Sequence, residues 1–325
     1  MKAVLCKQYG LPDTLVVEDV PSLTPAAGQV VVGMKAAGVN FPDALIIQGK
    51  YQMKPPMPFS PGSELACVVK AVGAGVQNVK AGDAVIAYAG YGAYAEEVAV
   101  DAHACIPLPA GVDYKVGASF MMTYGTSYHA LKDRAQFKPG ETLLVLGAAG
   151  GVGSAAVELG KLMGARVIAA ASTEDKLEAC RRLGADATIN YAGEDLREAV
   201  KRITAGKGVD VVYDPVGDRF AEPAMRDMAW GGRYLVIGFA GGEIPKIPLN
   251  MPLLKGFSIV GVFWGNFTRK EPQINAANVR DLLAWIAAGK LKPLVSVAYP
   301  LAQAARAIKD VMERKVMGKV VLVTN

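Results

Sequence analysis

The residues with the clearest chemical meaning lie in the stretch ETLLVLGAAGGVGSAAVELG, which covers residues 141–160. An apolar run there predicts a strand, a second run predicts a helix, and glycines fill the turn between them. Ala148, Gly150 and Gly153 form an A-x-G-x-x-G pattern, in which the missing side chain at Gly150 allows a pyrophosphate to approach the backbone. Free N–H groups at the start of the helix can then bind the phosphates. We therefore predict that a dinucleotide is bound by Ala148, Gly150, Gly151, Val152 and Gly153.

The end of the next predicted strand, in RVIAAASTEDK, indicates which dinucleotide binds. An NAD site usually has an Asp or Glu about 20 residues after the glycine pattern, where it binds the ribose 2′-OH. Ala171 and Ser172 occupy these positions instead, and Lys176 lies one helical turn further on. A charge-assisted contact between a lysine and a phosphate contributes about 1.5–3 kcal/mol, or roughly tenfold to a hundredfold in selectivity. We therefore predict that Ser172 and Lys176 bind the 2′-phosphate of NADPH, which is preferred over NADH.

Composition excludes several other classes of protein. The 325 residues suggest two domains, and 52% hydrophobic with 20% charged residues is typical of a globular chain. The net charge of +5 is small and the basic residues alternate with acids, which argues against a nucleic-acid surface. The four cysteines are far apart, so neither a structural zinc nor a disulfide framework is expected. Because no signal sequence or membrane-spanning run is visible, we expect a cytoplasmic protein with reduced cysteines.

The elements that must position these residues fall into two classes along the chain. The first third contains short apolar runs separated by Gly and Pro turns, which predict a β-rich unit. From about Lys115 onward, apolar strands alternate with helical patterns, which predicts an α/β fold with a doubly wound parallel sheet. Its last elements are a helix at about 221–230, a strand in GRYLVIGFA and a final strand in FSIVGVFWG. After Asn266 come two helical patterns and a final strand, KVVLVT, which we expect to pair with the β-rich sheet.

Motifs occur in one order along nearly the whole chain: AAGVNFPDALIIQGKYQMKPPMPFSPGSE, TYGTSYHAL, GAAGGVG, VELGKLMGARVI, LGADATINY, GVDVVYDPVG, GGRYLVIGFAGG, IVGVFWG and GKVVLV. Together they resemble the medium-chain dehydrogenase/reductase superfamily, and in detail its zinc-independent quinone oxidoreductase branch. The resemblance implies a Rossmann domain that binds NADPH at residues 123–266. It also implies a discontinuous GroES-like catalytic domain at residues 1–122 and 267–325.

Two positions of this resemblance bear on zinc. Zinc-dependent members of the superfamily carry a ligand Cys just before the Asp of a stretch like VNFPD, and a ligand His in a Gly-His-Glu turn. Here the first stretch has no Cys, and Ser63 occupies the His position between Gly62 and Glu64. A neutral hydroxyl is a poor zinc ligand. The resemblance therefore implies hydride transfer without zinc, with Glu64 kept for local hydrogen bonding and orientation.

The resemblance also implies the surroundings of the cofactor. Tyr191 resembles the family residue near the 2′-phosphate, and Lys319 is a further candidate for cofactor contact. The nicotinamide is expected near Thr126, with its other side lined by Phe239, Ala240, Phe263 and Trp264. For Phe263 and Trp264, a place in the strand core or at a subunit interface fits as well as a place beside the nicotinamide. We expect a homodimer in which the apolar strand FSIVGVFW extends the sheet across a two-fold axis.

Asn40 and Tyr51 are the polar residues predicted to be catalytic, by meeting an oxygen atom of the substrate. Tyr51 resembles a tyrosine of related enoyl thioester reductases, and a phenol can hydrogen-bond a carbonyl and then donate a proton. The leading hypothesis is an NADPH-dependent reductase of small-molecule quinones or enones. One alternative is an enoyl thioester reductase that uses Arg269 and Lys270 as a basic rim for CoA or a carrier protein. Another is a structural or adaptor protein that binds NADPH without catalysis.

Overall fold

The computed structural model describes residues 1–324, which form two compact units. The first unit comprises Met1–Met121 together with the chain from Pro293 onward, and the second comprises Met122–Lys292. The resemblance implies that residues 267–292 belong to the β-rich domain, whereas the structure packs them within the second unit. There Phe267 stacks on His129 and the Trp285 ring lies edge-on to Tyr128. These units describe how the chain packs, and the boundaries of the two domains themselves stay a prediction.

Strands in the described chain are, in order, β1 (Lys2–Leu5), β2 (Val16–Asp19), β3 (Gln29–Val39), β4 (Glu64–Val72), β5 (Ala84–Tyr88), β6 (Glu97–Asp101), β7 (Cys105–Pro107), β8 (Thr142–Val145), β9 (Arg166–Ala171), β10 (Ala187–Asn190), β11 (Val209–Asp214), β12 (Met228–Val236), β13 (Ser258–Gly261), β14 (Val295–Pro300) and β15 (Lys319–Val323). The α-helices are α1 (Phe41–Ile46), α2 (Tyr114–Tyr128), α3 (Gly151–Leu162), α4 (Glu174–Arg182), α5 (Leu196–Thr204), α6 (Ala221–Arg226), α7 (Asn250–Lys255), α8 (Trp264–Lys270), α9 (Pro272–Ala287) and α10 (Ala304–Met312). No helix within residues 1–324 combines the length and apolar character that a membrane crossing requires.

The first unit is built on a mixed sheet with the strand order β14-β15-β3-β4-β5-β7, and β6 pairs with β3. The long strand β3 is central because most of its side chains are buried, including Val30, Val32 and Met34. β15 lies antiparallel to β3 and parallel to β14. The C-terminal strand therefore returns to the β-rich sheet, as the run of apolar residues predicts.

The second unit contains a six-stranded parallel sheet in the order β10-β9-β8-β11-β12-β13. This is the order of a Rossmann fold, and it reverses between β8 and β11, where such sheets bind their ligands. The side chains of Leu143, Leu144 and Val145 in β8 are all inaccessible to solvent, which fits a sheet covered on both faces. The predicted α/β fold, with a doubly wound sheet and a β-rich unit, is confirmed.

Two predicted elements end earlier than expected. The helix predicted at 221–230 stops at Arg226, because the chain from Met228 onward joins the parallel sheet as β12 and pairs with β11. The strand predicted in FSIVGVFWG ends at Gly261, and Trp264 begins α8 instead. The buried indole of Trp264 packs on Gly125, where an added Cβ would lie 2.8–2.9 Å from the ring. This tertiary contact decides the local structure.

Candidate active site

The glycine-rich turn leaves room for a ligand beside its backbone. Gly150 caps α3, and an added Cβ there would meet only the Gly147 carbonyl oxygen, at 3.3 Å. At Gly153, by contrast, an added Cβ would lie 2.3 Å from that oxygen and 2.9 Å from the Ala148 Cα. Gly153 therefore permits α3 to pack against the turn, while Gly150 keeps the approach to the first N–H groups of α3 open. The backbone of residues 148–153 therefore forms a cradle that fits a pyrophosphate.

Ser172 and Lys176 lie together at the carboxyl end of β9. The Lys176 Nζ is 3.4 Å from the Ser172 Oγ, and the Thr173 hydroxyl caps α4 by accepting a hydrogen bond from the Lys176 N–H. Glu174, one of the two acids in the first turn of α4, pairs with Arg181 at 2.6 Å. Because β9 is the neighbour of β8, this hydroxyl and ammonium share a sheet edge with the glycine-rich turn. Their chemistry fits a phosphate group.

Tyr191 directly follows β10 and lies beside the end of β9. Its backbone N–H donates to the Ala171 carbonyl at 3.1 Å, and its ring lies 4.4 Å from that of Phe220. The end of β9 is thus next to Tyr191 on one side and to the glycine-rich turn on the other. The structure therefore brings together the predicted phosphate-binding residues of three neighbouring strands.

The residues predicted around the nicotinamide are more dispersed in the second unit. Phe239 follows β12, is partly exposed and packs on Gly217, while the Ala240 N–H donates to the Pro215 carbonyl at 3.0 Å. Trp264 is buried, whereas Phe263 keeps 49% of its surface exposed. Thr126 lies on α2, where the hydroxyl of the next residue, Ser127, donates to the Val152 carbonyl at 3.0 Å. That bond holds the helix of Thr126 against the glycine-rich turn.

The loop that Phe239 packs against is held by a buried carboxylate. Asp214, the last residue of β11, accepts hydrogen bonds from the N–H groups of Val216 and Gly217 at 2.7 and 2.8 Å. The Tyr234 hydroxyl donates to its other oxygen. Burial raises the pKa of the Asp214 carboxyl, and these three donors oppose the rise. The loop after β11 is therefore a fixed wall at the point where the strand order reverses.

A second polar cluster is buried in the first unit and contains Asn40, Glu64 and Lys319. The Lys319 Nζ donates to Glu64 Oε1 at 2.8 Å, to Asn40 Oδ1 at 2.6 Å and to the Val39 carbonyl at 3.3 Å. The Asn40 Nδ2 also donates to Glu64 Oε1, at 2.8 Å. The expected local hydrogen bonding of Glu64 is present. The predicted contact of Lys319 with the cofactor stays untested, and the structure gives its three hydrogens these partners instead.

Sequence reasoning did not foresee the pairing of Glu64 with Lys319. The two residues are separated by 255 positions, and each is the first residue of a strand and is followed by an apolar run. A charged residue at the start of a buried strand needs a partner. In the sequence, the indication of this pairing is that Glu64 and Lys319 carry opposite charges and each begins a strand.

The residues around Ser63 and Glu64 do not fit a zinc ion. The Ser63 hydroxyl is buried without a hydrogen-bond partner in the described chain, and the neighbouring carboxylate is bonded to an ammonium group and an amide. Within residues 1–324, no group of three or more His, Cys, Asp or Glu side chains is arranged to hold a metal ion. Zinc sites require thiolate, imidazole or carboxylate ligands, and an ammonium group at the same place would repel the cation.

Asp43 lies beside Asn40, and its charge also acts on Tyr51. Asp43 accepts hydrogen bonds from the Asn40 backbone N–H and the Tyr94 hydroxyl, both at 2.7 Å. Complete burial raises the pKa of Asp43 to about 6, although these donors oppose the rise. Tyr51 is half-buried, and burial together with the charge of Asp43 raises the pKa of its phenol. The Tyr51 hydroxyl therefore remains protonated at neutral pH and can act as a donor.

In the comparison with known proteins, one family matches part of the first unit and another matches part of the second unit. Residues 26–110 match the family described as alcohol dehydrogenase GroES-like domain, and residues 151–285 match the family described as zinc-binding dehydrogenase. A quinone oxidoreductase-like protein 2 homolog from Nematostella vectensis is 38% identical over 99% of this chain and 89% of its own length. Human quinone oxidoreductase is 32% identical over 99% and 97% of the two chains. The structure of Escherichia coli quinone oxidoreductase complexed with NADPH superimposes with a TM-score of 0.91, at 31% identity over 99% and 100% of the chains.

The raised pKa of Asp43 predicts a pH-dependent cost to stability. Because the folded-state pKa of about 6 lies above the ordinary value of 3.8, Asp43 binds more protons folded than unfolded between these values. Its contribution to the free energy of unfolding therefore falls as pH rises from about 4 to about 6. Asp43→Asn keeps an acceptor oxygen and removes the ionisation. We expect its unfolding temperature, relative to wild type, to be higher at pH 6.5 than at pH 4.5.

Thermal unfolding of both proteins at the two pH values measures this difference. Asp101→Asn, which changes an exposed Asp of the same unit, is the control and should show no such trend. If the unfolding temperatures of Asp43→Asn and wild type differ by the same amount at both pH values, the raised pKa of Asp43 is contradicted.

Proposed function

The chain belongs to the quinone oxidoreductase-like enzymes of the medium-chain dehydrogenase/reductase superfamily, and from this membership we propose that it reduces quinones and α,β-unsaturated carbonyl compounds with NADPH and without zinc. The observation that carries the proposal is the cluster of Asn40, Glu64 and Lys319. It contains an amide and a neutralised charge pair, and its Glu64 directly follows the residue that the resemblance aligns with a zinc-ligand His. Ser63, in the position of the ligand His, is consistent with it.

NADPH would be held by the carboxyl edge of the parallel sheet. The pyrophosphate fits the cradle of residues 148–153, and the 2′-phosphate fits the hydroxyl and ammonium groups of Ser172 and Lys176, with Tyr191 beside them. Thr126 with Phe239, Ala240, Phe263 and Trp264 are proposed to surround the nicotinamide. When bound, the cofactor supplies the hydride, while the protein orients the reactants and excludes water.

Asn40 and Tyr51 are proposed to act on the acceptor. As the acceptor is reduced, negative charge develops on its oxygen, and fixed hydrogen-bond donors stabilise that charge. The Asn40 amide and the protonated Tyr51 phenol are donors of this kind. For an enone, Tyr51 can also hand over a proton. A hydroquinone anion can take its proton from water, so a quinone depends less on Tyr51.

The matched family is described as zinc-binding, but the ligand set of this chain supports a metal-free reaction. The position of the ligand His is occupied by Ser63, and Glu64 already neutralises an ammonium group. A metal would need three or four donors in place of these. We therefore propose that the acceptor is stabilised by hydrogen bonds and not by a Lewis acid.

A homodimer is proposed from the edge of the parallel sheet. Within the described chain β13 pairs only with β12, which leaves its other edge open. Exposed apolar side chains lie near it in sequence, on β13, α7 and the preceding loop: Ile244, Leu249, Leu253, Leu254 and Ile259. An exposed edge with an apolar surface is suited to pairing with a second copy of the same chain.

No nucleic-acid or membrane partner is proposed. The four buried, free cysteines agree with a cytoplasmic location.

An acceptor panel tests the proposed reaction. We expect NADPH oxidation with 1,4-benzoquinone and 9,10-phenanthrenequinone, unchanged after dialysis against a chelator. Tyr51→Phe should lower kcat for an enone such as 2-cyclohexenone by about 10²-fold, within the usual range for a general acid. Its kcat for benzoquinone and its affinity for NADPH should change little.

Three outcomes would contradict parts of this proposal. Turnover confined to crotonyl-CoA would favour an enoyl thioester reductase, in which exposed Arg269 and Lys270 could contact the CoA phosphates. Tight NADPH binding without turnover of any acceptor would favour a structural or adaptor protein. Stoichiometric zinc in the purified protein, with activity lost on chelation, would overturn the metal-free reaction.

Cofactor selectivity tests the role of Lys176. We expect kcat/KM to be higher with NADPH than with NADH, and Lys176→Ala to lower the NADPH value by roughly tenfold to a hundredfold. The NADH value should be unchanged, because the ribose 2′-OH does not need the ammonium charge. Arg182→Ala removes an exposed cation from the end of the same helix and serves as the control. Equal use of both cofactors by the wild type would contradict this assignment.

The oligomeric state tests the proposed interface. We expect sedimentation of the wild type at twice the chain mass of 34.1 kDa. The double change of Leu253 and Leu254 to Glu should give a single chain, because it places two carboxylates in the apolar surface. Leu162→Glu changes an exposed leucine of α3 and should leave the dimer intact. A monomeric wild type, or a variant that still forms dimers, would argue against this surface.

A further inference from the structure

The amide of Asn40 is held between two buried groups of opposite charge. The Lys319 ammonium donates to its Oδ1, and Glu64 accepts from its Nδ2. Lys319 and Glu64 expose only 3% and none of their side-chain surface. The three side chains are therefore fixed in an environment where hydrogen bonds are strong and unpaired polar groups are costly.

Opposite charges on the two sides allow only one orientation of this amide. A flipped amide would place its oxygen against the carboxylate and its NH₂ group against the ammonium, and would replace two attractive contacts by two repulsive ones. A side-chain amide has two N–H donors, and the carboxylate uses one of them. The second Nδ2–H hydrogen has no partner among residues 1–324. It is the donor that remains for a ligand.

The backbone around the cluster is shaped to hold the carboxylate in place. An added Cβ at Gly38 would lie 2.5 Å from Glu64 Oε1 and 2.3 Å from the Ala118 carbonyl oxygen. A glycine at this position of β3 therefore lets the carboxylate lie directly against the strand that leads to Asn40. The Asn40 backbone is held as well, since its N–H donates to Asp43 at 2.7 Å.

We propose that Lys319 and Glu64 are positioning residues, which lock the Asn40 amide so that its remaining N–H donates to the reacting oxygen of the acceptor. Lys319 acts here through Asn40 and not by contact with the cofactor. The Lys319 bond to Oδ1 also polarises the amide and strengthens the N–H as a donor. This inference rests on the proposed reductase function for its catalytic part, while the locking of the amide is a property of the free protein.

The locking is measured without cofactor or substrate. In protein labelled with ¹⁵N at Asn, the Asn40 side-chain amide is identified by its loss in Asn40→Ala. We expect its two hydrogens to show unusual chemical shifts and slow exchange with water. Lys319→Met and Glu64→Gln should each move these resonances towards those of exposed Asn amides. Resonances at exposed positions already in the wild type, or unmoved in both variants, would overturn the proposal.

The catalytic part is measured by a double-mutant cycle with 1,4-benzoquinone. Asn40→Ala should lower kcat by about 10²-fold, as is usual for removal of one donor to a developing oxyanion. Lys319→Met should lower kcat by about tenfold or more, with KM for NADPH unchanged. In the Asn40→Ala background, Lys319→Met should have no further effect, because residues that act as one unit are not additive.

Lys70→Met is the matched control, because Lys70 also pairs with a buried carboxylate, Glu97, in the same unit. It should change neither kcat nor the Asn40 resonances. Additive losses of kcat in the cycle, or a loss in Lys319→Met that appears as a higher KM for NADPH, would overturn the positioning role. Glu64→Gln keeps the shape of the side chain and provides the same comparison if Lys319→Met does not fold. A wild type that reduces no acceptor refutes the proposed function, while the amide resonances still decide the locking.

Discussion

The buried ion pair between Lys319 and Glu64 is the interaction on which the first unit depends. Removing one partner of such a pair costs about 3–5 kcal/mol, because the other charge is left buried without compensation. The pair forms only if β15 returns to the edge of β3 while β4 lies on the other side. Lys319 opens β15, Glu64 opens β4 and Asn40 follows β3, so this strand order places all three at one end of the sheet. The position of the candidate site is thus a consequence of sheet topology.

The second unit brings its residues together by the same means. Ala148, Ser172 and Tyr191 each follow a different parallel strand, and the order β10-β9-β8 makes these strands neighbours. Because parallel strands end at the same edge, residues far apart in sequence lie together on the surface that is proposed to bind the phosphates. Asp214 adds the wall on the other side of the point where the order reverses, by holding the loop after β11. Strand ends carry the chemistry in both units, and strand interiors supply the core.

Features set by local geometry could be predicted from the sequence, and features set by distant contacts could not. The run QVVVGMKAAGV predicts β3 with its observed bounds, and the glycine pattern predicts the turn because each glycine meets a local steric requirement. Trp264 was placed in a strand because its neighbours are apolar, whereas its contact with Gly125 makes it the start of a helix. The pairing of Glu64 with a lysine 255 residues away depends on the order of the strands, and its only indication in the sequence is the opposite charge of two residues that begin strands.

The charge balance of the cluster limits the reactions that it can support. A metal ion places net positive charge at the reacting oxygen and can stabilise a localised alkoxide. In this chain the positive charge of Lys319 is cancelled by Glu64 at 2.8 Å. In the proposed reaction the cluster therefore offers the acceptor only the dipole of the Asn40 amide, beside the phenol of Tyr51. Dipoles suffice where the product anion is already delocalised, as in a hydroquinone anion or an enolate. Under the proposed function, the ion pair that is proposed to orient Asn40 would therefore favour activated acceptors over simple ketones.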